Sequence, residues 1–341
     1  MLHDSAPSRD RRSAPAAASV DGVLAEPSSA LGRSLASFEV VLSDVLAQFA
    51  KNFLLNDLSE EVSDDFFDRD QPAFAFPLPR REPRRRPSGI EQVHQARVSI
   101  RRLRSTLRTF EELFESEWLS PMASELSWYA ATLGEVRDFD VLGSSLSETV
   151  SLIDDDRVRT IVTSHLGHQR DIAQDQLTKE RSTKRYARLV NDVATIGSTV
   201  RFREDLPGSA LENLRHEVRR TWKRVKIRGR EAKNSPTNEH LHRLRIELKR
   251  LQCACEVVAL VDTADATKVA RAAEISQTHL GVVHDQAVAS TWLRTLVVDE
   301  PRLRKPLRAI LRMHDEQRKV AKSGWLDELA KVERRWRRWD I

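Results

Sequence analysis

Apolar residues recur at helical spacing along most of this chain, and no long run alternates with period two, so the pattern predicts an all-α protein. The clearest stretch is Val93–Phe110, VHQARVSIRRLRSTLRTF, which lacks Pro and Gly. At about 100° per residue, Ala96, Ile100, Leu103, Leu107 and Phe110 form its core face. His94, Arg97, Arg101, Arg104 and Arg108 fall in an arc of roughly 80° directly beside that face. Cations that serve only solubility usually sit opposite a core, so this placement asks for a reason.

The same pattern returns in LHRLRIELKRLQCACEVV, Leu241–Val258. His242, Arg245 and Lys249 repeat the spacing of His94, Arg97 and Arg101, and Leu244, Leu248, Leu251 and Cys255 repeat the apolar face. A second pair aligns LGEVRD at Leu133–Asp138 with LGVVHD at Leu280–Asp285. Both pairs lie nearly the same distance apart in the chain, which points to one internal duplication. On this alignment Gln252 stands where Arg104 does and Glu256 where Arg108 does. The second helix is then the weaker half of the basic stripe, and Gln252→Arg is expected to strengthen it at little cost in stability.

Around these helices, residues 1–30 read as a disordered tail rich in Ala, Ser, Pro and Arg. A first helical bundle spans 31–200, opening with a helix from Leu31 that buries Leu35, Phe38, Leu42, Val45, Leu46 and Phe49. It is interrupted near 57–88 by an exposed insertion. That insertion runs from an acidic segment starting at Asp57 into Pro-rich AFAFPLPRREPRRRPSG, whose Arg80, Arg81, Arg84, Arg85 and Arg86 are read as solvated. Ser120-Pro121 predicts a helix start with Pro in the first turn, ending near Gly134. Arg137-Asp138 would open the next helix, with Asp138 or Asp140 facing its dipole. Further helices follow over Ser164–Arg203, broken around Glu180–Thr183. Pro207-Gly208 separates the halves, and a second bundle covers 207–320. Its first helix carries His216, Arg219, Lys223, Lys226 and Arg230 in the same stepped row, beside an apolar face of Leu211, Leu214, Val218, Trp222 and Val225. Residues 321–341 form a C-terminal amphipathic helix, with Trp325, Leu329, Val332, Trp336 and Trp339 on a stripe that docks on the body.

Composition narrows the partners. The 341 residues hold 56 Lys and Arg against 51 Asp and Glu, a net charge of only +5, so the basicity is local. Local positive stripes suit a polyanion. Cys253 and Cys255 are the only cysteines and point apart on a helix, which excludes a disulfide framework and fits a cytoplasmic location. No apolar run reaches the roughly 18 residues of a membrane span.

HxxRVxxRRLR followed by LGxxRDxDVL, then HxxRIxxKRL followed by LGxxxD, resembles the CHAD family, the conserved histidine α-helical domain, over roughly residues 31–320. The resemblance implies two pseudo-symmetric bundles of up-and-down helices and a basic surface that binds inorganic polyphosphate. It implies no catalytic activity for this domain alone. Association with polyphosphate granules is the matching expectation for location.

The residues agree with that expectation. Acids three or four residues away appear at the ends of the first stripe, but Arg97, Arg101 and Arg104 in its middle have none. Unpaired cations on one face repel each other unless an external polyanion compensates them. His284-Asp285 and His314-Asp315 look like the HD dipeptides of metal-dependent phosphohydrolases, but Arg137 stands at the position of His284 in the first half, which suits a cation and not a metal ligand. His165 and His168 lack a third ligand and read as a surface pair. Neither a P-loop nor the ExExK signature of triphosphate tunnel enzymes is present, and no metal or cofactor is expected. Base recognition would want exposed aromatics between the cations, yet Phe110 and Trp222 lie at core positions, so RNA is the second choice. The expected polyphosphate site is a groove of His94, Arg97, Arg101, Arg104, Arg108, Arg137, His242, Arg245 and Lys249. His216, Arg219, Lys223 and Lys226 would form a supporting wall.

Overall fold

The structure, a computed structural model, describes residues 38–58, 89–205, 209–261 and 264–339. The N-terminal tail, the start of the first helix at Leu31, nearly all of the 57–88 insertion and Pro207-Gly208 lie outside these residues. Everything regular among the described residues is helical, apart from one isolated bridge between Phe114 and Phe202.

Helix α1 (Phe38–Asp57) buries Phe38, Leu42, Val45, Leu46, Phe49 and Phe53. Helix α2 (Ile90–Thr109) packs along it through Ala96, Ile100, Leu103 and Leu107, the face read from the sequence. It opens at Gly89, whose φ of 44° is open to glycine and costly for other residues.

Helix α3 departs from expectation. It runs unbroken over Ser116–Val150, so neither Pro121 nor Gly134 bounds it, and Arg137-Asp138 opens nothing. It starts a turn early because Glu115, itself extended, accepts the Leu119 N–H at 2.9 Å while donating its own to the Arg201 carbonyl at 3.1 Å. Pro121 then costs only the bond that would reach the Glu117 carbonyl. Instead of serving a helix dipole, Asp138 meets Arg97, and Asp140 accepts from Arg170 at 2.8 Å.

Helices α4 (Asp156–Arg181) and α5 (Lys184–Ala194) break where the sequence suggested, with Asp155 and Thr183 as side-chain N-caps. A short turn, α6 (Ile196–Thr199), leads to the second half. There α7 (Ala210–Asn234) begins with a capping box of Ser209 and Glu212. Thr237 caps α8 (Asn238–Val258), and α9 (Ala264–Asp299), α10 (Arg308–Ser323) and α11 (Trp325–Arg338) follow. As expected, α11 docks on the body: Trp336 stacks on Trp222 at 4.8 Å between ring centres.

The two halves repeat one packing order. Helix α2 lies between α1 and α3, and α8 lies between α7 and α9, while α4 and α10 pack on the long helices α3 and α9. The halves meet where α2 touches α8 and α3 touches α9. The apolar clusters do not divide between them. The larger takes Ile100, Leu103 and Leu133 with Leu244, Leu248 and Leu280. The smaller joins Leu142, Leu146 and Val162 to Leu293, Leu296 and Leu307.

Asp57 falls at the edge of the segment read as solvated, but it is buried. Its carboxylate accepts from Tyr129 Oη and Tyr186 Oη, both at 2.6 Å, and from Arg181 Nη2 at 2.6 Å. Burial and the carboxylate push both phenols up, so they stay protonated donors. Burial alone would lower Arg181, but Asp57 outweighs it and holds the guanidinium charged. This network ties α1 to α3, α4 and α5. Asp57→Ala should leave the half-buried Arg181 without its carboxylate, keeping only the bond to Tyr129, and cost about 3 kcal/mol, while Tyr186→Phe, which removes one donor, should cost about 1 kcal/mol. Thermal and urea melts measure both; an Asp57→Ala chain as stable as wild type would remove the network from the forces holding the fold.

Candidate polyanion-binding groove

Where α2 and α8 approach each other, their stripes come together. Arg97 and Arg101 from α2 meet Arg245 and Lys249 from α8 closely enough to act on one another electrostatically. The α3 and α9 motif residues complete the walls, Arg137 and Asp138 on one side, His284 and Asp285 on the other.

The glycines of the two LG motifs, one of them read as a helix end, lie under this groove. A Cβ on Gly134 would stand 3.6 Å from Arg97 Nη2, and one on Gly281 would stand 3.5 Å from Arg245 Nη2. Each arginine therefore lies across a glycine of the neighbouring long helix, held low against the wall. Arg97 Nη2 pairs with Asp138 Oδ1 at 3.1 Å, and Arg245 Nε donates to the Gln277 carbonyl at 3.3 Å. Arg97 Nε and His242 Nδ1 are buried without a partner among the described residues.

The crowding registers in the proton affinities. Lys249 is pushed down to about 6, first by burial and then by Arg101, Arg245 and Arg97. Burial, Arg97 and Arg245 bring Arg101 down to about 10, so it stays charged at neutral pH. Arg245 is lowered by burial, opposed by Asp285, and lowered further by Arg97. The histidines follow suit. His94 is lowered by burial and Arg137, and His242 by burial and by His284, whose ring centre lies 4.8 Å away. Asp285 is raised because burial outweighs the pull of Arg245 and His284.

Not every residue expected at the site joins this cluster. Arg104 continues the stripe with Arg108 as its charged neighbour and donates to Ser127 Oγ at 3.1 Å. His216, Arg219, Lys223 and Lys226 are exposed on α7, and none is among the charges acting on the groove residues. His216 instead pairs with Glu217 at 3.3 Å, near Glu112. A supporting wall from α7 is not what the structure presents, because the α7 row follows the outer face of its own helix.

Gln252 also differs. It is buried, and its amide donates to Glu256 Oε1 at 2.8 Å, while Arg102 reaches Glu256 at 3.4 Å. An arginine at 252 would enter a packed junction whose acid already has a cation, so a gain at little cost does not follow. Sequence reasoning passed over the acids of the groove, Asp138 and Asp285. Their matching places in the two LG motifs were the available signal.

The family model for the CHAD domain matches residues 78–294, and the chain belongs to this family. Two uncharacterized Mycobacterium tuberculosis proteins, Rv2226 (strain ATCC 25618 / H37Rv) and MT2285 (strain CDC 1551 / Oshkosh), are each 29% identical over 221 residues, covering 61% of this chain and 41% of their own length. The chain thus spans about two-fifths of those relatives. Among solved structures, PptA from Streptomyces chartreusis superposes with a TM-score of 0.63 at 17% identity, over 86% of this chain and 99% of that one. The CHAD domain from the plant Ricinus communis gives 0.61 at 20% identity, over 87% and 92%. These likenesses establish the fold. Among the described residues, no helix is long and apolar enough to cross a membrane.

The lowered lysine sets a pH dependence. Between about 6 and its ordinary 10.5, Lys249 is largely neutral in the folded chain and protonated in the unfolded one. The unfolded state then binds more protons, so this group makes stability rise with pH across that window. Lys249→Met should flatten the rise and raise the melting temperature of the ligand-free chain near neutral pH. Melts across the window test this; an unchanged slope in the variant would place the pH dependence on other groups.

Proposed function

We propose that this chain binds linear inorganic polyphosphate in the groove between α2 and α8, without turning it over. The observation carrying this reading is the meeting of Arg97, Arg101, Arg245 and Lys249, with His94, His242 and Arg137 beside them, where burial and the neighbouring cations together lower the proton affinities of Arg101, Arg245, Lys249, His94 and His242. Such an array destabilises the empty fold and is relieved by an anion. Arginines serve the purpose well, since the planar guanidinium keeps its charge and donates to two phosphate oxygens at once. A string of phosphates offers acceptors along its whole length, matching cations that come from both helices in succession. Arg104 and Arg108 extend the track along α2. Asp138 pairs with Arg97 and Asp285 lies near Arg245, and both would yield to phosphate oxygens.

His94 and His242 face cations more than carboxylates, whereas His284 has Arg245 on one side and Asp285 and Asp138 on the other. The cations around His94 and His242 suit anion recognition. A cytoplasmic location and association with polyphosphate granules belong to the same proposal.

Titration of long-chain polyphosphate and of an RNA homopolymer at several salt concentrations tests the reading. Six phosphate contacts would give a log–log salt slope of roughly −4, by analogy with about −0.7 per contact for single-stranded nucleic acid. The double variant Arg97→Glu/Arg101→Glu should lose binding yet keep its helical circular dichroism and a melt close to wild type. Arg219→Glu/Lys223→Glu on α7 makes the same change in net charge and should bind as wild type does. Equal losses in the two would make total charge the determinant, and tighter binding of RNA than of polyphosphate at matched charge would replace this ligand with RNA.

A further inference from the structure

At its α8–α9 end the groove continues into a pocket of about 560 Å³. His242 and His284, groove residues on facing helices, line one end of it. Beyond them the walls change character. Ala287, Val288 and Leu296 of α9 present apolar surface, and Trp292 forms part of the lining. The Trp292 indole N–H donates to Gln169 Oε1 of α4 at 2.7 Å, which fixes the ring against the neighbouring helix. Around this surface stand hydrogen-bonding groups, among them Asn238, Glu239, Thr295 and Asp299.

Inorganic polyphosphate has no use for such a space, because a phosphate chain gains nothing from apolar walls and is repelled by Glu239 and Asp299. A ligand that spans both environments needs an anionic tail for the cations and a flat, largely apolar head with N–H donors for the pocket. The volume falls within the range of small-ligand sites, roughly 300–1,000 Å³, and such sites usually combine apolar walls with a few placed polar groups.

We propose that the groove and this pocket together form a site for nucleoside polyphosphates. The phosphates would lie against His242, His284 and Arg245, where His242 Nδ1 is buried and unpartnered among the described residues. The base would lie along the Val288–Trp292 wall. The exocyclic N–H groups of either purine, and the ring N–H of guanine, suit the carboxylates of Asp299 and of Glu239, which also accepts from Arg243. This rests on the groove being an anion site and adds a second class of ligand to it.

Calorimetric titration of the full chain with ATP, GTP and inorganic tripolyphosphate, at one pH and one salt concentration, tests the proposal. At least one nucleotide should bind about tenfold or more tightly than tripolyphosphate, a difference of about 1.4 kcal/mol. It should also change the emission of Trp292, identified by its loss in Trp292→Phe. Val288→Trp and Thr295→Trp, both at exposed positions lining the pocket, should each remove the nucleotide's advantage and leave long-chain polyphosphate binding unchanged. Two variants guard against one failing to fold, which circular dichroism reports. Tripolyphosphate binding as tightly as both nucleotides overturns the pocket's role and leaves the groove intact. Equal weakening of polyphosphate by both pocket variants overturns it as well. Failure of every anion to bind overturns the groove reading underneath.

Discussion

Like charges crowded between two helices are the constraint on which this structure turns. Arg97, Arg101, Arg245 and Lys249 come from separate parts of the chain and are held where burial and the neighbouring cations make the charges of Arg101, Arg245 and Lys249 costly. No isolated helix would keep such a group together. The cost is carried by the apolar faces one step round each helix, where Ile100, Leu103, Leu244 and Leu248 are fully buried. The stripe and the core face sit side by side on α2 and α8 for this reason: burying the one brings the other into contact.

The supporting elements serve the same end. Gly134 and Gly281 let the arginines lie flat on the long helices, and Asp138 pairs with one of them. Farther away, Asp57 gathers Tyr129, Tyr186 and Arg181 and ties the first helix to three others. In that network one buried acid satisfies several donors. In the groove several cations compete for too little negative charge, and only that imbalance points to a ligand.

Much of this was legible in the sequence, because helical period and repeated motifs are local signals. The core faces of α2 and α8, the break around Glu180–Thr183, and the stripe residues of both halves could be read from spacing. What could not be read depends on contacts between segments far apart. Gly134 looks like a helix end until Arg97 is seen lying over it. Pro121 looks like a first-turn proline until the Arg201 carbonyl is found holding Glu115 in the cap position. Gln252 has the angle of Arg104 but faces Glu256 and Arg102, since the two halves pack unequally at that turn. The row on α7 shared the spacing of the stripes without sharing their location, for periodicity reports a face and not what the face meets.

The long helices α3 and α9 run past the groove and are pinned at both ends, by the larger apolar cluster on one side and the smaller on the other. Each cluster takes residues from both halves, so prising the halves apart would open two cores together. The groove walls thus resemble beams clamped at each end more than the jaws of a hinge. Walls clamped in this way keep a nearly constant spacing. An anion bound between them, as proposed, would have to match that spacing as well as the charge.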